Sequence, residues 1–139
     1  MIVVGIIGLL AALAIPAFQR ARTDSQVTVF VNNLQKAADS FELYAMEHGD
    51  YPPDASRAVV PAGMAPYLPK MDWTAPTPLG GVWDWEKDVL GIHAGISVVQ
   101  SSATTGTFQA VDARIDDGNL ATGRFRVIQA DRCTYVIAE

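Results

Sequence analysis

Two histidines, one cysteine and fifteen aspartates and glutamates are the groups in this chain of 139 residues that could carry proton transfer, nucleophilic attack or metal binding. His48 and His93 each stand without the i, i+4 partner, paired cysteines or neighbouring acids of a metal or triad motif, and both read as surface or edge residues. Gly80-Gly81 is followed by neither a Lys-Ser/Thr pair nor a helix, so it is no phosphate loop, and no Gly-x-Ser-x-Gly elbow occurs. We therefore expect no enzyme. Asp116-Asp117-Gly118-Asn119 could offer side-chain oxygens of Asp116, Asp117 and Asn119 to a calcium ion, but the spacing is not that of an EF-hand, and a capped helix end explains it more simply.

Trp83 and Trp85 have the ring surface to stack on a sugar or a partner. Two same-face tryptophans on a strand over a helix are ordinarily core, which is the reading adopted here. Asp84, Glu86 and Asp88 then alternate onto the opposite face, where water would solvate them. Arg20, Arg22 and Asp24 are candidates for polar contacts between neighbouring molecules, with snorkelling to lipid headgroups as the other role of the arginines.

All of these groups hang on one long element. Met1–Phe18 (MIVVGIIGLLAALAIPAF) carries no charge, and ten of its eighteen residues are Ile, Leu, Val or Phe. At the usual insertion energies those ten favour a bilayer by roughly 3–6 kcal/mol, although the run is near the lower limit for crossing a hydrocarbon core. Gly5, Gly8, Ala11, Ala12 and Ala14 are small enough to let a neighbouring helix approach closely, and Pro16 marks a kink or soft point. From Thr23 the apolar residues Val27, Phe30, Val31, Leu34, Ala37, Ala38, Phe41, Tyr44 and Ala45 recur at helical spacing, so residues 2–48 read as one rod of roughly 70 Å. Gly49 ends it, and Tyr51-Pro52-Pro53 prevents resumption.

Three regions follow: residues 1–19 as a transmembrane or filament-core half-helix, 20–49 as its amphipathic half, and 50–139 as a globular head that takes in 24–49. The head reads as strands over Val82–Val89 and Ile92–Gln100, a short helix over Thr107–Asp117, and strands over Arg124–Ile128 and Arg132–Ala138, giving an α+β fold. Its core should include Phe30, Leu34, Phe41, Tyr44, Trp83 and Trp85. The net charge of −5 with interspersed signs and no basic stripe argues against nucleic acid. Cys133 has no partner for an internal disulfide, so packing alone must hold the head. No basic segment precedes the apolar run, which makes it unlike a cleaved secretory signal. The nearest cations, Arg20 and Arg22, follow the run and by themselves would hold the head in the cytoplasm, so upstream positive charge is expected.

The order Ile2-Val3-Val4, Ile6-Ile7-Gly8, Leu10-Ala11-Ala12 and Ala14-Ile15-Pro16, continued by the amphipathic helix and Gly49-Asp50-Tyr51-Pro52, resembles the N-terminal segment of type IV pilins and type II secretion pseudopilins. The resemblance covers about the first fifty residues and implies a pilin fold, a long helix packed by a small antiparallel sheet. It implies a short basic leader and the first mature residues upstream of Met1, the leader being cleaved by a prepilin peptidase that also methylates the new N-terminus. It also implies residence in a bacterial inner membrane with the head outside the cytoplasm, and assembly with copies of itself and other pilin-like subunits on an inner-membrane platform. The absence of a disulfide pair and the acidic loop resemble the major pseudopilin, whose family often holds calcium near the C-terminus. The function implied is a structural subunit of a secretion pseudopilus. The alternatives are a type IV pilus subunit for adhesion, motility or DNA uptake, and a membrane-tethered monomeric binding module.

Overall fold

A computed structural model describes residues 1–69 and 71–139. Helix α1 (Ile2–His48) runs unbroken for 47 residues through Pro16, about 70 Å at 1.5 Å per residue. Residues 1–25 are all exposed, and the buried face begins only at Val27, continuing through Phe30, Val31, Leu34, Ala37, Ala38 and Phe41. The 3–4 spacing read from the sequence is thus the packing stripe itself. Gly49 stops the helix at φ 82°, where its N–H donates to the Ala45 carbonyl at 2.8 Å; a left-handed residue at this position is the usual glycine cap.

The head contributes β1 (Val82–Val89), β2 (Ile92–Val99), α2 (Thr105–Ile115), β3 (Phe125–Gln129) and β4 (Arg132–Ala138). The strands form one antiparallel sheet in the order β1-β2-β4-β3. The layout is the α+β, pilin-like one expected: a long N-terminal helix, a small sheet and one short helix. Leu90 and Gly91, at φ 55° and 79°, close the β1–β2 hairpin in two residues, the tight form that suits strand twist. Gly81 is a position of close approach: its φ is +75°, and a Cβ there would drive into the Val99 carbonyl and lie 2.7 Å from the Ser101 nitrogen.

Helix α2 begins two residues earlier than expected because Thr104 caps it, accepting the Thr107 N–H on Oγ1 at 3.3 Å. It ends at Ile115, where Asp116 leaves helical geometry at φ −144°. Residues 64–68 make one turn, in which the Tyr67 and Leu68 N–H groups both donate to the Met64 carbonyl, at 2.9 and 3.2 Å. The edge of β1 is partly covered by the chain after α1, through Ala58 N–H to the Trp83 carbonyl at 2.8 Å and Lys87 N–H to Asp54 Oδ1 at 3.2 Å, which leaves less of that edge open to another strand.

Stacked rings join helix to sheet. Phe30 lies on Trp83 with centroids 5.1 Å apart, and Phe41 on Trp85 at 3.8 Å. Trp73, which sequence reasoning did not single out, fills the space between, 5.4 Å from Phe41 and 6.0 Å from Trp83. Phe30, Leu34, Phe41, Trp83 and Trp85 are buried as expected, while Tyr44 is half-buried at the margin, stacked on His48 at 4.1 Å.

One expectation for the sheet is overturned. Asp84 and Glu86 do not face water; they are 6% and 4% exposed. Arg132 of β4 reaches across β2 and brings one terminal nitrogen, Nη1, to both carboxylates, 3.1 Å from Asp84 Oδ2 and in direct contact with Glu86 Oε1. The long guanidinium arm shields the two acids, and beneath it Ser97 and Thr134 share a hydrogen bond of 2.8 Å.

Candidate assembly surface

The apolar half of α1 presents itself entirely to its surroundings. Its mean hydropathy over an 18-residue window is 2.3 with none of that window buried, long and apolar enough to cross a membrane. At 100° per residue, Gly5, Gly8, Ala12 and Pro16 fall within about 80° of one another. Ala11 borders this stripe, and Ala14 faces elsewhere. A Cβ added at Gly5 or Gly8 would meet nothing within 4 Å in the isolated chain, so neither glycine is required by the fold around it.

Just above the stalk, the structure places Asp24 in an intramolecular clamp. Its carboxylate pairs with the Arg114 guanidinium of α2, which also donates to Thr28 Oγ1 at 2.6 Å and to the Asp24 carbonyl at 3.3 Å. Arg114 was not foreseen as a functional residue. Arg20 and Arg22 stay exposed, and Arg20 shares a cleft with Pro16, Gln19, Thr23 and Ala110.

The acidic loop after α2 is closed by its own backbone. Asp116 Oδ2 accepts the Arg124 N–H at 2.6 Å, Asp117 Oδ1 the Asn119 N–H at 2.8 Å, and Asn119 Oδ1 the Ala121 N–H at 3.2 Å. Asp112, which sequence reasoning passed over, is fully buried with neither carboxylate oxygen hydrogen-bonded. Burial, and next the nearby carboxylates of Asp117 and Asp116, push its carboxyl above the usual range. An orphaned carboxylate beside oxygen-rich side chains suits a hard cation in donor type. Against this, no three His, Cys, Asp or Glu side chains group to hold a metal among the described residues. The fit to calcium is therefore partial, resting on Asp112.

The remaining chemistry-bearing groups are engaged within the head. Burial pushes the Cys133 thiol up to about 11, far from the thiolate a nucleophile needs. His93 sits at the hairpin between Asp88 Oδ1 at 2.6 Å and Asp50 Oδ1 at 3.5 Å, with Lys87 joining both acids. Trp85 Nε1 donates to the Pro52 carbonyl at 3.0 Å, which ties the strand to the chain leaving α1. Comparison of the chain with family models, curated proteins and solved structures found no match.

Proposed function

We propose that this chain is a structural subunit of a pilin-like filament, most like the major subunit of a type II secretion pseudopilus. The observation that carries the reading is the division of α1: its first 25 residues are all exposed, with the Asp24–Arg114 clamp at their upper end, and from Val27 the same helix is the head's core. In storage the apolar half resides in the inner membrane, with the head outside the cytoplasm. During assembly it leaves lipid for contact with the same segment of neighbouring copies. Apolar side chains are about equally at home in either setting, so the exchange costs little, and the Gly5–Gly8–Ala12 stripe allows close helix contact that lipid does not match. Head-to-tail packing that does not close generates a fibre. The burial of all three tryptophans leaves the tethered binding module without the aromatic surface it would use.

Calcium belongs to this proposal as a loop stabiliser: Asp112, with oxygens of Asp116, Asp117 and Asn119, would hold it. The role of the chain is structural and its partners are further copies, other pilin-like subunits and the membrane assembly platform. The test is Gly8→Trp and Ala12→Trp in full-length protein with its upstream residues present. Membrane insertion should persist while filaments and crosslinks between apolar segments fall sharply. Normal filament yield from both variants would overturn a packed helical core.

A further inference from the structure

The position of α2 relative to the apolar segment has a consequence for the stored form. Thr104 and Thr107 share a cleft with Thr23 and Gln26, Ala110 lies in a second cleft with Thr23, Asp24 and Val27, and Arg114 binds Asp24 and Thr28. Along α2 these contacts advance ten residues, while the α1 residues opposite them centre on Thr23–Thr28, the cleft under Ala110 alone running on toward the stalk through Arg20, Gln19 and Pro16. Helix α2 therefore crosses α1 steeply, as a bar set across the rod. Its mean level is about 11 Å beyond Phe18, and subtracting a helix radius of about 5 Å puts its lower edge about 6 Å past the end of the apolar run. The headgroup layer of one leaflet is about 5–8 Å thick.

Which side of the bar looks toward the stalk is fixed by the second cleft, because Ala110 shares it with Pro16, Gln19 and Arg20. The exposed positions around Ala110 are Gly106, Gln109 and Ala113, on the side away from buried Phe108 and Val111. All are small or neutral. In a chain of net charge −5, the one acid among these contacts, Asp24, is neutralised by Arg114, and Arg20 adds a cation at the cleft mouth.

We propose that the exposed side of α2, with Arg20, docks on the phosphate headgroups of an anionic bilayer and fixes the height of the head above the membrane before extraction. This rests on the reading of residues 2–18 as the membrane segment. Continuity with that segment, the matching height and the lack of an acid at Gly106, Gln109, Ala110 and Ala113 select lipid over a protein occupant.

The experiment uses the full chain in vesicles at low protein-to-lipid ratio, with Cys133→Ala and a fluorophore on Gln109→Cys, or on Met46→Cys as the distal reference about 42 Å from Phe18 along α1. Lipids bearing a headgroup nitroxide should quench the Gln109 label several-fold more than the Met46 label, more strongly in phosphatidylglycerol than in phosphatidylcholine. Arg20→Gln should remove the excess in phosphatidylglycerol alone. Equal quenching at the two sites, or protection of the Gln109 label only at high protein density, would overturn the proposal, the latter by naming a second copy as the occupant. Because the measurement is made on dispersed protein, a normal filament yield from the Trp variants leaves it untouched, and a failed docking leaves filament assembly standing.

Discussion

Replacing Arg132 by Met removes the cation that pairs directly with two buried carboxylates, leaving Asp84 only the weaker attraction of Arg57. Arg132, Asp84 and Glu86 side chains are 12%, 8% and 5% exposed, so solvent cannot take over the screening. Breaking a buried ion pair from one side costs about 3–5 kcal/mol, because the other charge is left without compensation. Here two acids lose the same partner, which places the expected loss at neutral pH near the top of that range. With a domain stability of about 5–15 kcal/mol the variant becomes marginal, and Tm should fall by about 15–25 °C. The pH dependence is a stricter check. Burial already raises the Asp84 carboxyl above its usual range in the native chain, with Arg132 opposing. Without Arg132, Asp84 binds a proton in the folded state at pH values where the unfolded chain has released it. Stability then rises as pH falls, and the deficit should shrink between pH 7.5 and 5. The combined change Asp84→Asn, Glu86→Gln, Arg132→Met removes the uncompensated charges and should recover most of the loss at pH 7.5. Denaturant melts of full-length protein in one detergent measure all three. A loss under about 1 kcal/mol for Arg132→Met, or a deficit unchanged across that pH range, would refute the account of a shared buried guanidinium.

Three further outcomes are expected. Gly81→Ala places a side chain at φ +75° against the Val99 carbonyl, and should cost about 2 kcal/mol or more in denaturant midpoint analysis. Phe41→Ala empties the position stacked on Trp85 and should cost about 3–5 kcal/mol, read from Tm and from the fluorescence of Trp85. Millimolar calcium should raise Tm of the native chain and leave that of Asp112→Asn unchanged; an equal rise in both would remove Asp112 from any cation site.

The elements were legible because their signals are local. The run of Val27, Phe30, Val31, Leu34, Ala37, Ala38 and Phe41 states a helix and its buried side together, and Gly49 followed by Pro52 and Pro53 states its end. The misreading of Asp84 and Glu86 came from what is not local. Alternation assigned them correctly to the sheet face opposite Trp83 and Trp85, but whether that face meets water depends on strand order. Placing β4 beside β2 lets Arg132 reach across to β1, and no pattern within Val82–Val89 contains that neighbour. Arg114 and Asp112 were missed for a similar reason. The Arg114 side chain turns to Asp24 and Thr28 of α1 and the Asp112 carboxyl into the interior without a hydrogen-bond partner, and neither placement is written in the pattern of α2 alone.

The same geometry bears on how a subunit could be moved. Helix α1 has no loop between its apolar half and the residues that pack the head, so a displacement of the stalk reaches Phe30 and Phe41 through one continuous helix. Pro16 is the place where its backbone hydrogen-bond ladder lacks a donor. It lies among residues 1–25, which are exposed, eleven positions before Val27. A bend at Pro16 therefore changes the direction of the stalk without disturbing any core contact, whereas a bend beyond Val27 would separate Phe30 from Trp83 and Phe41 from Trp85. On the proposed assembly, a subunit that leaves a bilayer and seats among other helices needs its adjustable point on the stalk side of that boundary, and the Arg114 clamp on Asp24 and Thr28 holds the head to the rod above it.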